Sequence, residues 1–252
     1  MQMAHAQSPL LARQMDKLRS ATENLYRIFG SYPTPTTLGR CKHGQPEDKK
    51  HFLSTALRKL SSEDLPLAHF SWEAISTWGT VDDFKYFLPR LFEIVAFEKY
   101  HYDPEVLFGK LAIAHWRSWP EAEQNAVGDY CDALWEKALA NHPTLAELPS
   151  FAEIDDCLCS IGRAADDLKP FLERWQNGDS VARLQNLADF VIRNAECLLS
   201  KNKLCNAFWS DRPEQAQQVV AWLVQPTTAT LLHTARFSDA ADVLLRLRAV
   251  QS

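Results

Sequence analysis

Two side chains able to hold a metal stand close together early in the chain, Cys41 and His43, with Gly44 next. A thiolate and an imidazole suit zinc, which takes about four ligands in a tetrahedral array, normally as two close pairs. Asp48 and His51 are candidates to complete the set, but no second Cys/His pair follows at finger-like spacing. A loop that holds no ion is therefore the first reading, and zinc at Cys41 and His43 the alternative. Cys157 and Cys159 read differently. Two positions apart on a helix they point about 200° from each other, so they pack rather than share an ion. Cys197 and Cys205 meet only if the chain turns back near Lys201. Six cysteines in 252 residues are too sparse for a disulfide framework and read as buried free thiols in a reducing, cytoplasmic setting. Glu98-x-x-His101 has the spacing of di-iron carboxylate bundles, but a second copy of that motif is needed and missing.

A second constellation runs from Trp78 to Arg90. Gly79 suits a left-handed helix cap, so Trp78-Gly79 is expected to end one helix. Thr80 with Asp83 resembles a capping box, and Asp82 and Asp83 complement the dipole of the helix that follows. Pro89 falls about two turns into that helix, where it lacks a donor and clashes with the carbonyl of Lys85, so a kink or break is expected. In the functional reading, Trp78, Asp83, Lys85, Tyr86 and Arg90 form a ligand or partner site around the freed carbonyl. In the structural reading, the bend lets the helix wrap a core made of Phe84, Phe87 and Phe92. Eight tryptophans are mostly in phase with other apolar residues and read as core, with Trp116 and Trp119 the best candidates for an exposed pair.

The elements that must position these groups are helices. Gly is scarce, 8 in 252, and apolar residues recur at three- and four-residue steps with no sustained alternation. Phe84, Phe87, Leu88, Leu91, Phe92 and Val95 make the clearest stripe. Val127, Tyr130, Cys131, Leu134 and Ala138 make another, and Val181, Leu184, Ala188, Val191, Ala195 and Leu198 a third. Ser8-Pro9 opens a first helix that Gly30 closes. Asp103-Pro104 opens one to about Trp116, and Pro120 one to about Asn141. Further helices are expected near 151–161, 166–176, 180–199, 213–224, 228–235 and 239–250. Gly30 to Pro46 stands out as a long irregular stretch. The fold class is all-α: an irregular array of about ten antiparallel helices, α-solenoid-like or a multi-helix bundle. No repeat consensus can be written. The array reads as a single domain over 1–252, with a candidate seam at 141–150.

Composition excludes several kinds of function. The 46% apolar content excludes disorder, and 27 basic against 32 acidic side chains argue against a nucleic-acid coat. The excess of −5 lies in the second half, where residues 127–252 hold 12 basic and 17 acidic side chains. No leader pattern is read at the N-terminus. The longest uncharged stretch, Gln215 to Ala235, is interrupted by Pro226, so no membrane span is expected. Phosphate-binding glycine loops, the nucleophile elbow and the His-Glu-x-x-His zinc signature are all missing.

Four segments carry a resemblance: Tyr32-Pro33-Thr34-Pro35, Cys41-Lys42-His43, Leu57-Arg58-Lys59-Leu60 and Asp83 to Arg90, with Asp103-Pro104-Glu105 and Trp119-Pro120 after them. In this order, over roughly residues 25–140, the chain resembles a bacterial family of uncharacterised helical proteins. The resemblance implies an all-helical fold and no particular activity. The loop keeps only Cys41 and His43 where such relatives place several Cys or His. The functional expectation is a non-catalytic protein–protein interaction module with no resident cofactor and another protein as partner. The alternative is a metal-binding protein or enzyme using the Cys41/His43 loop and the Lys85/Arg90 helix.

Overall fold

A computed structural model describes residues 9–38, 49–98, 103–142, 154–178 and 180–251. These contain twelve α-helices and no β-strand, so the fold is all-α. They divide into two compact units, one running to Leu134 and the other starting at Trp135. The chain passes from one to the other inside a helix, where neither Gly nor Pro marks the change.

The first unit is built on a long amphipathic helix, α1 (Pro9–Phe29), which buries Leu18, Ala21, Thr22, Leu25 and Phe29. That stripe packs against α4 (Val81–Phe97). Between them come α2 (Lys49–Ser54), a single 3-10 turn at Leu57–Lys59, and α3 (Leu65–Glu73). Helix α3 ends at Glu73, five residues earlier than the Trp78-Gly79 stop expected from sequence. A tight turn follows, in which the Ile75 N–H donates to the Trp78 carbonyl at 3.1 Å. Ile75 and Gly79 both take left-handed backbone, at φ 67° and 76°. A Cβ at Gly79 would also sit 2.9 Å from the Phe70 ring.

Thr80 then starts α4 with a complete capping box: its side chain accepts the Asp83 N–H while the Asp83 carboxylate accepts the Thr80 N–H. Pro89 does not break the helix, which continues to Phe97. An internal proline costs about 3 kcal/mol. Beyond it Leu91, Phe92, Ile94 and Val95 are all buried, each worth about 1.5–3 kcal/mol, so packing outweighs the lost donor. Phe92 stacks on Phe108 of α5 (Pro104–Ile113) at 4.9 Å and on Tyr130 of α6 (Glu121–Ala140) at 4.4 Å. Helix α5 stops short of the expected Trp116, because His115 turns left-handed (φ 50°) into a 3-10 turn at Trp116–Ser118.

The second unit takes the end of α6 with α7 (Ile154–Ala164), α8 (Lys169–Asn177), α9 (Val181–Lys201), α10 (Pro213–Leu223), α11 (Pro226–Thr234) and α12 (Ser238–Gln251). Its centre is aromatic. Trp175 meets Trp135, Phe190 and Trp222, each at 5.3 Å. Trp135 donates from Nε1 to the Phe171 carbonyl and Trp222 to Gln176 Oε1. Helices α11 and α12 pair with each other, and α12 lies along α9. Ser180 caps α9 by accepting the Arg183 N–H. Cys157 and Cys159 are both buried in α7.

The cysteine expectation is corrected at one place. Cys197 and Cys205 are joined as a disulfide, because Asn202 takes left-handed backbone (φ 50°) and turns the chain back at the end of α9.

Candidate functional site

Lys85 lies one turn into α4 and is only 6% exposed. Its Nζ sits 2.7 Å from Glu123 Oε2 of α6 and donates to the Tyr32 hydroxyl at 2.8 Å. Tyr32 in turn donates to Glu123 Oε1 at 2.7 Å, closing a three-membered ring of charge-assisted contacts. The ammonium also stands 4.4 Å from the centroid of the Trp119 ring, where the negative face of the indole adds to its stabilisation. Burial works to lower the Lys85 pKa, but the bonds to Glu123 and Tyr32 overcome it and leave it above the ordinary lysine value. Burial raises the Tyr32 phenol in the same cluster.

Arg90, less than two turns further along α4, carries a second cluster. Its Nε donates to the Leu60 carbonyl at 2.6 Å, and its two terminal nitrogens reach Glu93 and Glu98. Glu93 also accepts the Tyr26 hydroxyl at 2.6 Å. Burial, reinforced by that bond, pushes the Tyr26 pKa well up. Arg58 lies over the Tyr26 ring, its Cζ 3.6 Å from the centroid, and pairs with Glu23 through two hydrogen bonds.

These contacts define what the α4 charges do. Lys85 fixes Tyr32, and with it the start of the Tyr32–Leu38 segment, to α4 and α6. Arg90 fixes Leu60 to α4. A substrate acid reaching Lys85 would have to displace Glu123, and one reaching Arg90 would displace two carboxylates. Removing one partner of a buried pair leaves an uncompensated charge, so both clusters hold position firmly.

Of the remaining expected site residues, Trp78 is 1% exposed and packs against Phe70, His69 and Phe52. Asp83 belongs to the capping box, and Tyr86, half-buried, accepts the Thr34 hydroxyl at 3.2 Å. Lys85, Tyr86 and Asp83 thus lie within one stretch of α4, while Trp78 and Arg90 face separate surroundings. Cys41 and His43 lie outside the described residues, as does His101. No group of three or more His, Cys, Asp or Glu that could hold a metal is found among the described residues. Trp116 and Trp119 are not an exposed pair: both are buried, with Arg117 over the Trp116 ring and Trp119 Nε1 donating to the Ala114 carbonyl.

The exposed tryptophan is Trp72, on α3, at 43%, and Leu65 on the same helix is 74% exposed. Seven positions apart, they fall within about 20° of each other around the helix. Helix α3 is apolar nearly all round, so it buries Leu67 and Phe70 and still presents a second apolar face. Sequence reasoning missed it because no polar face marks which side is outward. Glu123 was missed as the partner of Lys85, since nothing local ties it to a lysine 38 positions earlier, whereas Glu93 lies three positions after Arg90 on the same helix. Two grooves lie on the described surface. One of about 570 Å³ lies beside Thr34, Lys50 and Ser54 in the first unit, and one of about 560 Å³ lies between α8 and α10 in the second.

No protein-family model matches the sequence, and no curated protein or solved structure is significantly similar to it.

Proposed function

We propose that this chain is a non-catalytic helical protein that docks onto another protein through the outer face of α3. The observation that carries the reading is the contrast between the two neighbouring helices. The charges of α4 at Lys85 and Arg90 are spent on internal partners, whereas Leu65 and Trp72 of α3 stand in solvent. Tryptophan is the side chain most enriched among residues that dominate binding energy at interfaces. Two turns apart, Leu65 and Trp72 suit a partner with an apolar groove, the helix-in-groove mode. The slight acidity of the chain disfavours a phosphate-rich partner.

A cytoplasmic location goes with this reading. No helix among the described residues is long and apolar enough to cross a membrane.

The test is photocrosslinking in the source cell with benzoylphenylalanine replacing Trp72. The expected result is one discrete protein adduct of higher mass, absent when the same probe replaces the exposed Glu121. No adduct at position 72, or an adduct with nucleic acid or lipid, would overturn the reading.

A further inference from the structure

Cys197 and Cys205 differ from the other described cysteines in what can reach them. Cys205 is exposed and Cys197 half-buried, whereas Cys131, Cys157 and Cys159 are buried. Burial also pushes the Cys131 thiol up to about 12, so it stays protonated and unreactive. The disulfide closes the turn at the end of α9, where the Lys203 N–H returns to the Cys197 carbonyl.

This turn holds more than itself. The Cys205 N–H donates to Oδ1 of Asn194 at 2.7 Å, and Asn194 is fully buried. The Asn194 amide donates to Asp155 Oδ2 at 3.0 Å, and the other Asp155 oxygen accepts Trp209 Nε1 at 3.2 Å. On the outer side, Asn202 Oδ1 accepts the Gln251 amide, at the end of α12, at 2.6 Å. The Cys205 backbone therefore completes a buried polar knot, and the Asn202 side chain of the same turn touches the last turn of α12.

We propose that Cys197–Cys205 is a reversible thiol–disulfide site, opened in the folded protein by a dithiol reductant, whose state sets how firmly segment 202–206 and the end of α12 are held. One thiolate of the reductant attacks the sulfur of Cys205, the more exposed residue of the pair. A mixed disulfide forms, and Cys197 leaves as a thiolate that takes a proton from water. The second thiolate of the reductant then attacks its own sulfur in the mixed disulfide. That step releases Cys205 and leaves the reductant as a cyclic disulfide. Two electrons pass to the protein, one S–S bond breaks and one forms. The oxidised state closes the turn; the reduced state frees Cys205 to leave Asn194.

The experiment labels the native protein with N-ethylmaleimide before and after dithiothreitol, maps each cysteine by mass, and follows hydrogen exchange in both states. The expected result is no label at Cys197 or Cys205 before reduction and label at both afterwards without denaturant, with Cys131, Cys157 and Cys159 unlabelled throughout. Exchange in 202–206 and in the last turn of α12 rises about tenfold or more on reduction. Cys197→Ala/Cys205→Ala shows the faster exchange from the start and ignores dithiothreitol. Label at both residues without reductant would overturn the proposal. So would a bond that opens only on unfolding, or exchange that is the same in the two states.

Discussion

At Lys85 the decisive quantity is the cost of a buried charge without its partner. Lys85→Ala strands the Glu123 carboxylate, whose side chain is 9% exposed, and is expected to cost about 3–5 kcal/mol in urea denaturation. Lys85→Met with Glu123→Leu removes both charges and is expected to recover most of that loss; an equal or larger loss would contradict the pairing. The pH dependence has a definite sign. The folded pKa of Lys85 lies above its ordinary 10.5, so its contribution is fully present below pH 10.5 and lost as pH rises through the folded value. Lys137 behaves oppositely, since burial holds its pKa below 10.5, with Cys157 acting weakly the other way. Lys137→Met should therefore stabilise the protein at neutral pH. The gain should shrink as pH climbs from the folded value of Lys137 toward 10.5, measured as the difference in urea midpoint. A destabilised variant at pH 7 would show that the ammonium is satisfied after all.

Among the elements, the turn between α3 and α4 is the most exposed to single changes. Gly79→Ala combines a left-handed backbone with a Cβ pressed on Phe70, and is expected to cost at least about 1–2 kcal/mol. Thr80→Ala removes the capping oxygen that holds the Asp83 N–H, at about 1 kcal/mol. Both are read from thermal unfolding, and a neutral Gly79→Ala would mean the turn differs from the one described. This junction also shows what the sequence carried. Thr80 with Asp83, and the Phe84 to Val95 stripe, announced the start and inner face of α4 because capping and periodicity are local. The stop of α3 at Glu73 was not legible, because the left-handed conformation at Ile75 belongs to a β-branched residue that rarely adopts it. Nor was the outward side of α3, since a helix apolar nearly all round gives little direction. The Glu123 partner of Lys85 was hidden for a further reason: which carboxylate of α6 faces α4 is decided by how the two helices pack.

Over the whole molecule, the all-helical class of the described residues was readable in the sequence, the candidate seam at 141–150 lies largely outside those residues, and the passage between the two compact units carries no local mark. It falls between Leu134 and Trp135, in the last third of the unbroken helix α6. There Trp135 turns to the Trp175 cluster while Tyr130 joins Phe92. The disulfide was legible only as a condition, a turn near Lys201, and Asn202 met it with a backbone conformation that asparagine tolerates better than most residues. Closing a loop of that length is worth about 2–3 kcal/mol, so Cys205→Ser should lower the unfolding midpoint of the non-reduced protein. An unchanged midpoint would mean that the bond adds nothing to the folded state. The division of labour between α3 and α4 is tested most directly by capture from the source cell with two double variants beside the parent. Lys85→Met/Glu123→Leu should retain the partner recovered with the parent, and Leu65→Glu/Trp72→Glu, folded by circular dichroism, should lose it. Retention by the α3 variant together with loss by the folded α4 variant would contradict the account.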